Sequence, residues 1–173
     1  MEVNHHDPNN LERCERIDGV IYDMTSSPSS EHQRIVGRLY VAIGSYLKGK
    51  TCEAFTSPFD VYLDGNENGQ YVLPDISVIC DPTKIKHKGC YGAPDMVVEV
   101  LSPTTGKKDK TVKLRAYKAS GVLEYWIIDP GNQLVEVYDL QGEIPFPTVY
   151  GTGDTVVVGI FEDLQIILAD IFG

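Results

Sequence analysis

The sequence predicts an α/β (α+β) domain, a central mixed sheet flanked by two helices. Two observations carry that expectation. Pro28–Lys48 places its apolar residues on one helical stripe, and a second helical stretch covers Asp109–Ser120. Tyr71–Cys80 and Met96–Leu101 are apolar on both faces, as strands at the centre of a doubly covered sheet must be. At 173 residues and 42% hydrophobic, the chain suits one domain with a sizeable core, read as residues 14–173 behind a flexible segment 1–13.

The elements follow in order. Cys14–Thr25 reads as a hairpin, with CERI and VIYDM joined across Asp18-Gly19, a favoured two-residue turn. Ser27 can cap the first helix, Pro28 suits its first turn and Gly49 stops it. Ile35, Val36, Leu39, Tyr40, Ile43, Tyr46 and Leu47 form its stripe, with His32 near the middle and Glu31 at the edge. Ala54–Leu63 is a strand ending in the turn-rich DGNENGQ, followed by Tyr71–Cys80 and Met96–Leu101. Gly121 stops the second helix. Glu124–Ile128, Leu134–Leu140, Thr155–Ile160 and Leu164–Leu168 complete the strands.

Composition narrows the function classes. No apolar run approaches a membrane span, and MEVNHHDPNN lacks the apolar core of a signal peptide, so a cytoplasmic protein without membrane partners is expected. Four cysteines without framework spacing read as reduced thiols. Cys80, His87 and Cys90 make a weak zinc pattern, with irregular spacing and no fourth ligand nearby. The net charge of -10 argues against general nucleic-acid affinity, but the charge is segregated. Lys84–Lys118 holds nine Lys or Arg against three acids, whereas from Ala119 onward there is no Lys or Arg. That pattern suits a basic working face on an acidic body, or simply a solvated basic loop and helix.

One residue breaks the apolar pattern. Glu99 sits inside Met96-Val97-Val98-Glu99-Val100-Leu101, where an uncompensated charge costs several kcal/mol. Asp95, four residues earlier, lies about 13 Å away along the strand, too far to share an ion. Asp75, on the preceding strand, can stand beside Glu99 if the two strands pair. Two such carboxylates repel unless a cation lies between them, and oxygen ligands suit magnesium or manganese. A Lys or Arg pairing with Glu99 inside the sheet is the plainer alternative.

LPDISVICD, PDMVVEVLSP, the Asp109-x3-Lys113-x3-Tyr117 spacing and GVLEYWIIDP together resemble the Uma2 endonuclease family, a branch of the PD-(D/E)XK nucleases. RIDGVIYDM and the Glu31-His32 start of the first helix match as well, so the resemblance covers nearly all of the chain from Cys14. It implies a restriction-endonuclease-like core and metal-dependent hydrolysis of DNA phosphodiesters. By resemblance Asp75 and Glu99 hold Mg2+ or Mn2+ with the Val100 backbone carbonyl, and Glu31 acts through water. Leu101 stands where the superfamily has its lysine, and Lys113 on the next helix is the position that matches. Lys113 and Tyr117, four apart, face the same way. Lys107, Lys108 and Lys110 are expected to meet phosphate or solvent. His32 is an accessory residue or a satisfied, partly buried histidine. Ser102 has no triad pattern around it. Tyr125 and Trp126 are core aromatics beside the site. A homodimer is expected, since cutting both strands of a duplex commonly takes two sites and two-fold symmetry is the commonest oligomer geometry, and no organic cofactor is expected. The displaced lysine leaves a second reading open: a nuclease-fold module that binds nucleic acid or a partner protein without cutting.

Overall fold

Two prolines divide what the apolar pattern reads as continuous strands. The computed structural model describes residues 14–24, 27–102, 106–143 and 146–173; the segment 1–13 lies outside them. Ala54–Leu63 becomes β3 (Glu53–Thr56) and β4 (Val61–Tyr62), with Pro58 between them. Tyr71–Cys80 becomes β5 (Tyr71–Val72) and β6 (Ile76–Ile79), interrupted at Pro74. Proline has no N–H to give a ladder, so each break lets the chain change sheets.

Two six-stranded sheets result, instead of one. The central mixed sheet runs β12-β11-β10-β9-β6-β3, with β9 (Met96–Val100), β10 (Glu124–Asp129), β11 (Leu134–Asp139) and β12 (Pro147–Gly151). Only β9 and β10 pair in parallel there, and a parallel pair needs a crossover. Residues 106–120 supply it as α2 (Gly106–Lys108), a wide π-type turn over Asp109–Lys113, and α3 (Leu114–Ser120). The second sheet contains the predicted hairpin, β1 (Cys14–Ile17) and β2 (Val20–Asp23), with positive φ at both Asp18 and Gly19. It continues through β5 and β4 to β8 (Gly89–Tyr91) and β7 (Ile85–Lys86), a short hairpin the apolar pattern does not announce. Edge strand β12, opening on Pro147 and largely exposed, also escapes the pattern. At the end of the chain, β13 (Thr155–Val157) and β14 (Gln165–Ile167) pair, and α4 (Leu168–Phe172) follows.

The first helix, α1, spans Ser30–Leu47. Its cap is Ser29 rather than Ser27, because the Ser29 hydroxyl accepts from His32 N at 3.1 Å. Ile35, Val36, Leu39, Ile43 and Leu47 bury against one face of the central sheet, on Ile76, Val78, Met96, Val98, Val100 and Trp126. Tyr40, predicted for the same stripe, is exposed. On the other face Val97, Tyr125 and Ile127 meet Tyr117 of α3 and the second sheet's Ile17, Val61, Val72 and Cys90. Burying each such aliphatic side chain contributes about 1.5–3 kcal/mol. Among the described residues no helix is long and apolar enough to cross a membrane.

The expectation of four reduced thiols is corrected. Cys52 and Cys80 form a disulfide, while Cys14 and Cys90 are free. The antiparallel pairing sets Glu53 opposite Ile79, so the next step outward sets Cys52 opposite Cys80. Sequence spacing carries no trace of a cross-strand pair.

As predicted, Tyr125 and Trp126 are core aromatics. The Trp126 indole donates to Glu124 Oε1 at 2.6 Å, and Ile160 N donates to Glu124 Oε2 at 2.8 Å. Trp126→Phe keeps most of the packing but withdraws the donor from a buried carboxylate. We expect a loss of about 1–3 kcal/mol, seen as a lower urea midpoint at unchanged slope.

Candidate active site

Strand pairing brings Asp75 and Glu99 together. Ile76 stands opposite Val98 in the antiparallel β6–β9 ladder, so the next step of the register sets Asp75 opposite Glu99. The Asp75 carboxylate reaches across to β9, where Oδ2 accepts from Val100 N at 2.7 Å. Glu99 is buried on the face that carries α3.

Its nearest compensation is a lysine. Lys113 Nζ lies 2.8 Å from Glu99 Oε1, and the Tyr117 hydroxyl donates to the same oxygen at 2.7 Å. The helical i, i+4 spacing thus aims both side chains at one carboxylate, as the sequence predicts. Burial and the Glu99 charge hold the Tyr117 phenol well above its usual range, which keeps it a donor.

A residue the sequence reading passed over completes the cluster. Glu15, wholly buried, comes in from β1 and meets Lys113 Nζ at 2.8 Å. Its other oxygen meets Lys108 Nζ at 2.6 Å, and Leu73 N donates to Oε1 at 3.1 Å. Asp109, one turn before Lys113, adds a third carboxylate 3.5 Å from its ammonium. The signal was present: Glu15 shares the inward face of β1 with Ile17, the same anomaly that marks Glu99.

The cluster sorts its protons by neighbourhood. Burial works against the Lys113 charge, but Glu99, Glu15 and Asp109 outweigh it and hold the lysine protonated. Burial would likewise raise Glu15, but its two lysines overcome that and its carboxyl stays below the usual range. Glu99 goes the other way. Burial raises its pKa well above the ordinary 4.5, Lys113 opposes, and Asp109, Asp75 and Glu15 push it further up. Glu99, and not Glu15, is the acid held toward its protonated form.

His32, from the first turn of α1, sits 3.2 Å from Asp75 Oδ2 through Nε2. It is buried, with Nε2 against a carboxylate and Nδ1 without a hydrogen-bond partner among the described residues. Glu31 beside it is exposed. Of the three basic residues expected to meet phosphate or solvent, Lys107 is exposed, Lys108 is engaged by Glu15, and Lys110 by Glu136. A concavity of about 240 Å³ opens beside Asp75, lined by His32, Gln33, Tyr40, Thr56 and Ser57 among others. Among the described residues no three of His, Cys, Asp and Glu converge as a metal cage.

Residues 2–169 match the model of the Uma2 family, described as "Putative restriction endonuclease". The chain is similar to the crystal structure of "a putative nuclease belonging to DUF820" from Anabaena variabilis. The TM-score is 0.75 at 26% identity, covering 95% of this chain and 92% of that one. Two uncharacterised proteins of Synechocystis sp. are also similar. One is 34% identical over 73% of this chain, a match that spans 66% of the relative's length. The other is 27% identical over 76% of this chain and 75% of its own.

The His32–Asp75 pair has a pH signature. Burial lowers the His32 pKa, but the hydrogen bond and charge of Asp75, with the Val100 backbone and Asp109 adding to them, raise it above 6.5. A pKa higher in the folded state means that protonation stabilises the fold. That contribution is fully present below about pH 6.5 and is lost as pH rises through the folded value. We expect His32→Asn to flatten the decline of urea-unfolding free energy across this window. An unchanged pH profile would rule out a charged pair.

Proposed function

The chain belongs to the Uma2 family, and from that premise we propose that it is a metal-dependent endonuclease that hydrolyses phosphodiester bonds in DNA. The observation that supports this reading best is the Asp75–Glu99 pair, set opposite one another at the adjoining ends of β6 and β9. The donor set fits a hard divalent cation. Asp75, Glu99 and the Val100 carbonyl are oxygen donors, and Glu15 and Asp109 add further carboxylates around the Lys113 that meets Glu99. Magnesium typically takes one or two carboxylates and keeps several waters, so a three-residue cage is not required. These residues would hold Mg2+ or Mn2+, with Glu31 as an outer ligand through water.

When bound, such an ion polarises a phosphoryl oxygen and lowers the pKa of bound water. The chain's own side chains do the rest. Lys113 and Tyr117 hold one Glu99 oxygen and so orient the carboxylate. The Lys113 charge stands behind Glu99, where it stabilises negative charge gathering on the phosphate. His32 and Val100 N fix Asp75 in the same way. Lys107, with Lys108 and Lys110 once released from their acidic partners, gives the DNA backbone a basic approach. The reading includes a cytoplasmic site of action and a homodimer, since cutting both strands takes two sites and two-fold symmetry is the commonest way to supply them.

One observation favours the non-cutting module instead. Lys113 is buried against carboxylates, and Leu101 occupies the usual lysine position. The two readings separate in one experiment, which follows metal binding by calorimetry and cleavage of plasmid and single-stranded DNA.

For the nuclease we expect cleavage with Mg2+ or Mn2+, and loss of both metal binding and cleavage in Asp75→Ala and Glu99→Gln. Lys113→Gln should keep most of its metal affinity while its rate falls by a factor of about 10² to 10⁴. Because the Glu99 pKa is raised above 4.5, its proton competes with the ion, and metal affinity should weaken as pH falls through that raised value. Metal binding without cleavage in the wild type would establish the binding module.

A further inference from the structure

We propose that Glu15 is a positioning residue that sets the Lys113 ammonium against Glu99, so that the first hairpin governs the turnover of a site it does not otherwise enter. This rests on the nuclease reading above for its rate predictions, but not for its geometry.

Three features carry it. Glu15 spends both oxygens on the crossover helix, one on Lys113 and one on Lys108, and draws a third bond from Leu73 N. Its carboxylate is therefore held from three directions and wholly buried. Lys113 Nζ stands 2.8 Å from both Glu15 Oε1 and Glu99 Oε1, so the ammonium is suspended between two strands of different sheets. Glu99 and, at the longer distance of 3.5 Å, Asp109 hold the ammonium from the central sheet and the lysine's own turn, and Glu15 fixes it from the second sheet. Leu73 N ties Glu15 itself to the segment just before Pro74 and Asp75, so the same contact that places the lysine is anchored beside the Asp75 strand. Lys113 occurs in the wide turn Asp109–Lys113, a place where helical hydrogen bonding alone holds a side chain's origin less firmly. A purely space-filling role does not call for a carboxylate; an apolar residue of similar volume would serve it without the cost of burying a charge.

The test is Glu15→Gln, which keeps the shape and an oxygen able to serve Leu73 N and Lys113 as Oε1 does. It removes the charge that draws the ammonium and turns an amide NH2 toward Lys108. A misplacement of order 1 Å costs about 10²-fold in rate, so kcat should fall by about that factor while KM for DNA and magnesium affinity stay within about threefold. Glu15→Asp, which keeps the charge but withdraws it by one methylene, should lose less; it also serves if Glu15→Gln does not fold. In a double-mutant cycle, Glu15→Gln should add no further loss in kcat to Lys113→Gln, because it acts through that lysine. Additive losses would overturn the proposal.

A readout independent of cleavage is the ¹H–¹⁵N signal of the Lys113 ammonium, identified by its absence from Lys113→Gln. A buried ammonium held by two carboxylates exchanges slowly enough to be seen, and Glu15→Gln should broaden or remove it. A signal unchanged in that variant, or absent from the wild type, defeats the positioning role. A wild type that cuts no DNA but loses the signal in Glu15→Gln defeats only the nuclease reading.

Discussion

A carboxylate cannot remain ionised in the middle of a covered sheet without a cation against it, and that constraint on Glu99 organises much of the molecule. The cation present is Lys113, and reaching it takes the crossover helix that the parallel β9–β10 pair requires in any case. One lysine is then shared by acids from three places in the chain: β1, β9 and the wide turn itself. Removing one partner of a buried pair costs about 3–5 kcal/mol, whereas the intact pair adds little over an apolar substitute. The network is therefore better understood as fixing positions than as supplying stability. It ties two sheets and a helix to one ammonium.

The two Pro-Asp pairs show how little the dipeptide alone decides. Asp75 and Asp95 each stand at the head of a strand, and each accepts the N–H of a residue at the far end of the partner strand. Asp75 Oδ2 takes Val100 N, and Asp95 Oδ2 takes Cys80 N, both at 2.7 Å. The two are near-equivalent devices for closing an antiparallel pair at its ends. What separates them is company. Asp75 has Glu99 opposite it and His32 against it, whereas the Asp95 end meets the Cys52–Cys80 disulfide. Register gives the two ends of one ladder different neighbours.

Register also explains what could be read from the sequence. Glu99 was conspicuous because it interrupts an apolar run, and Lys113 with Tyr117 was legible because helical spacing aims residues four apart in one direction. The partnership of Asp75 with Glu99 was legible once the two strands were taken as neighbours. Glu15 presents the same inward charge, but in a four-residue strand beside polar neighbours the alternation is too short to make it stand out. Strand breaks at Pro58 and Pro74 were written in the sequence as well, yet the apolar residues on either side conceal that the chain changes sheets. The disulfide could not be read at all, since only the pairing of β3 with β6 puts Cys52 and Cys80 face to face.

Charge balance gives the site its direction. Within the buried cluster Glu15, Glu99 and Asp109 all meet Lys113, and Glu15 meets Lys108 as well. Glu15, between both lysines, is held below the ordinary carboxyl range, while Glu99 is pushed well above it. His32 is drawn toward the charged form on the neighbouring carboxylate. The electrostatics leave Glu99, rather than Glu15, as the acid held toward its protonated form, and they do so at the end of the ladder where Asp75 stands.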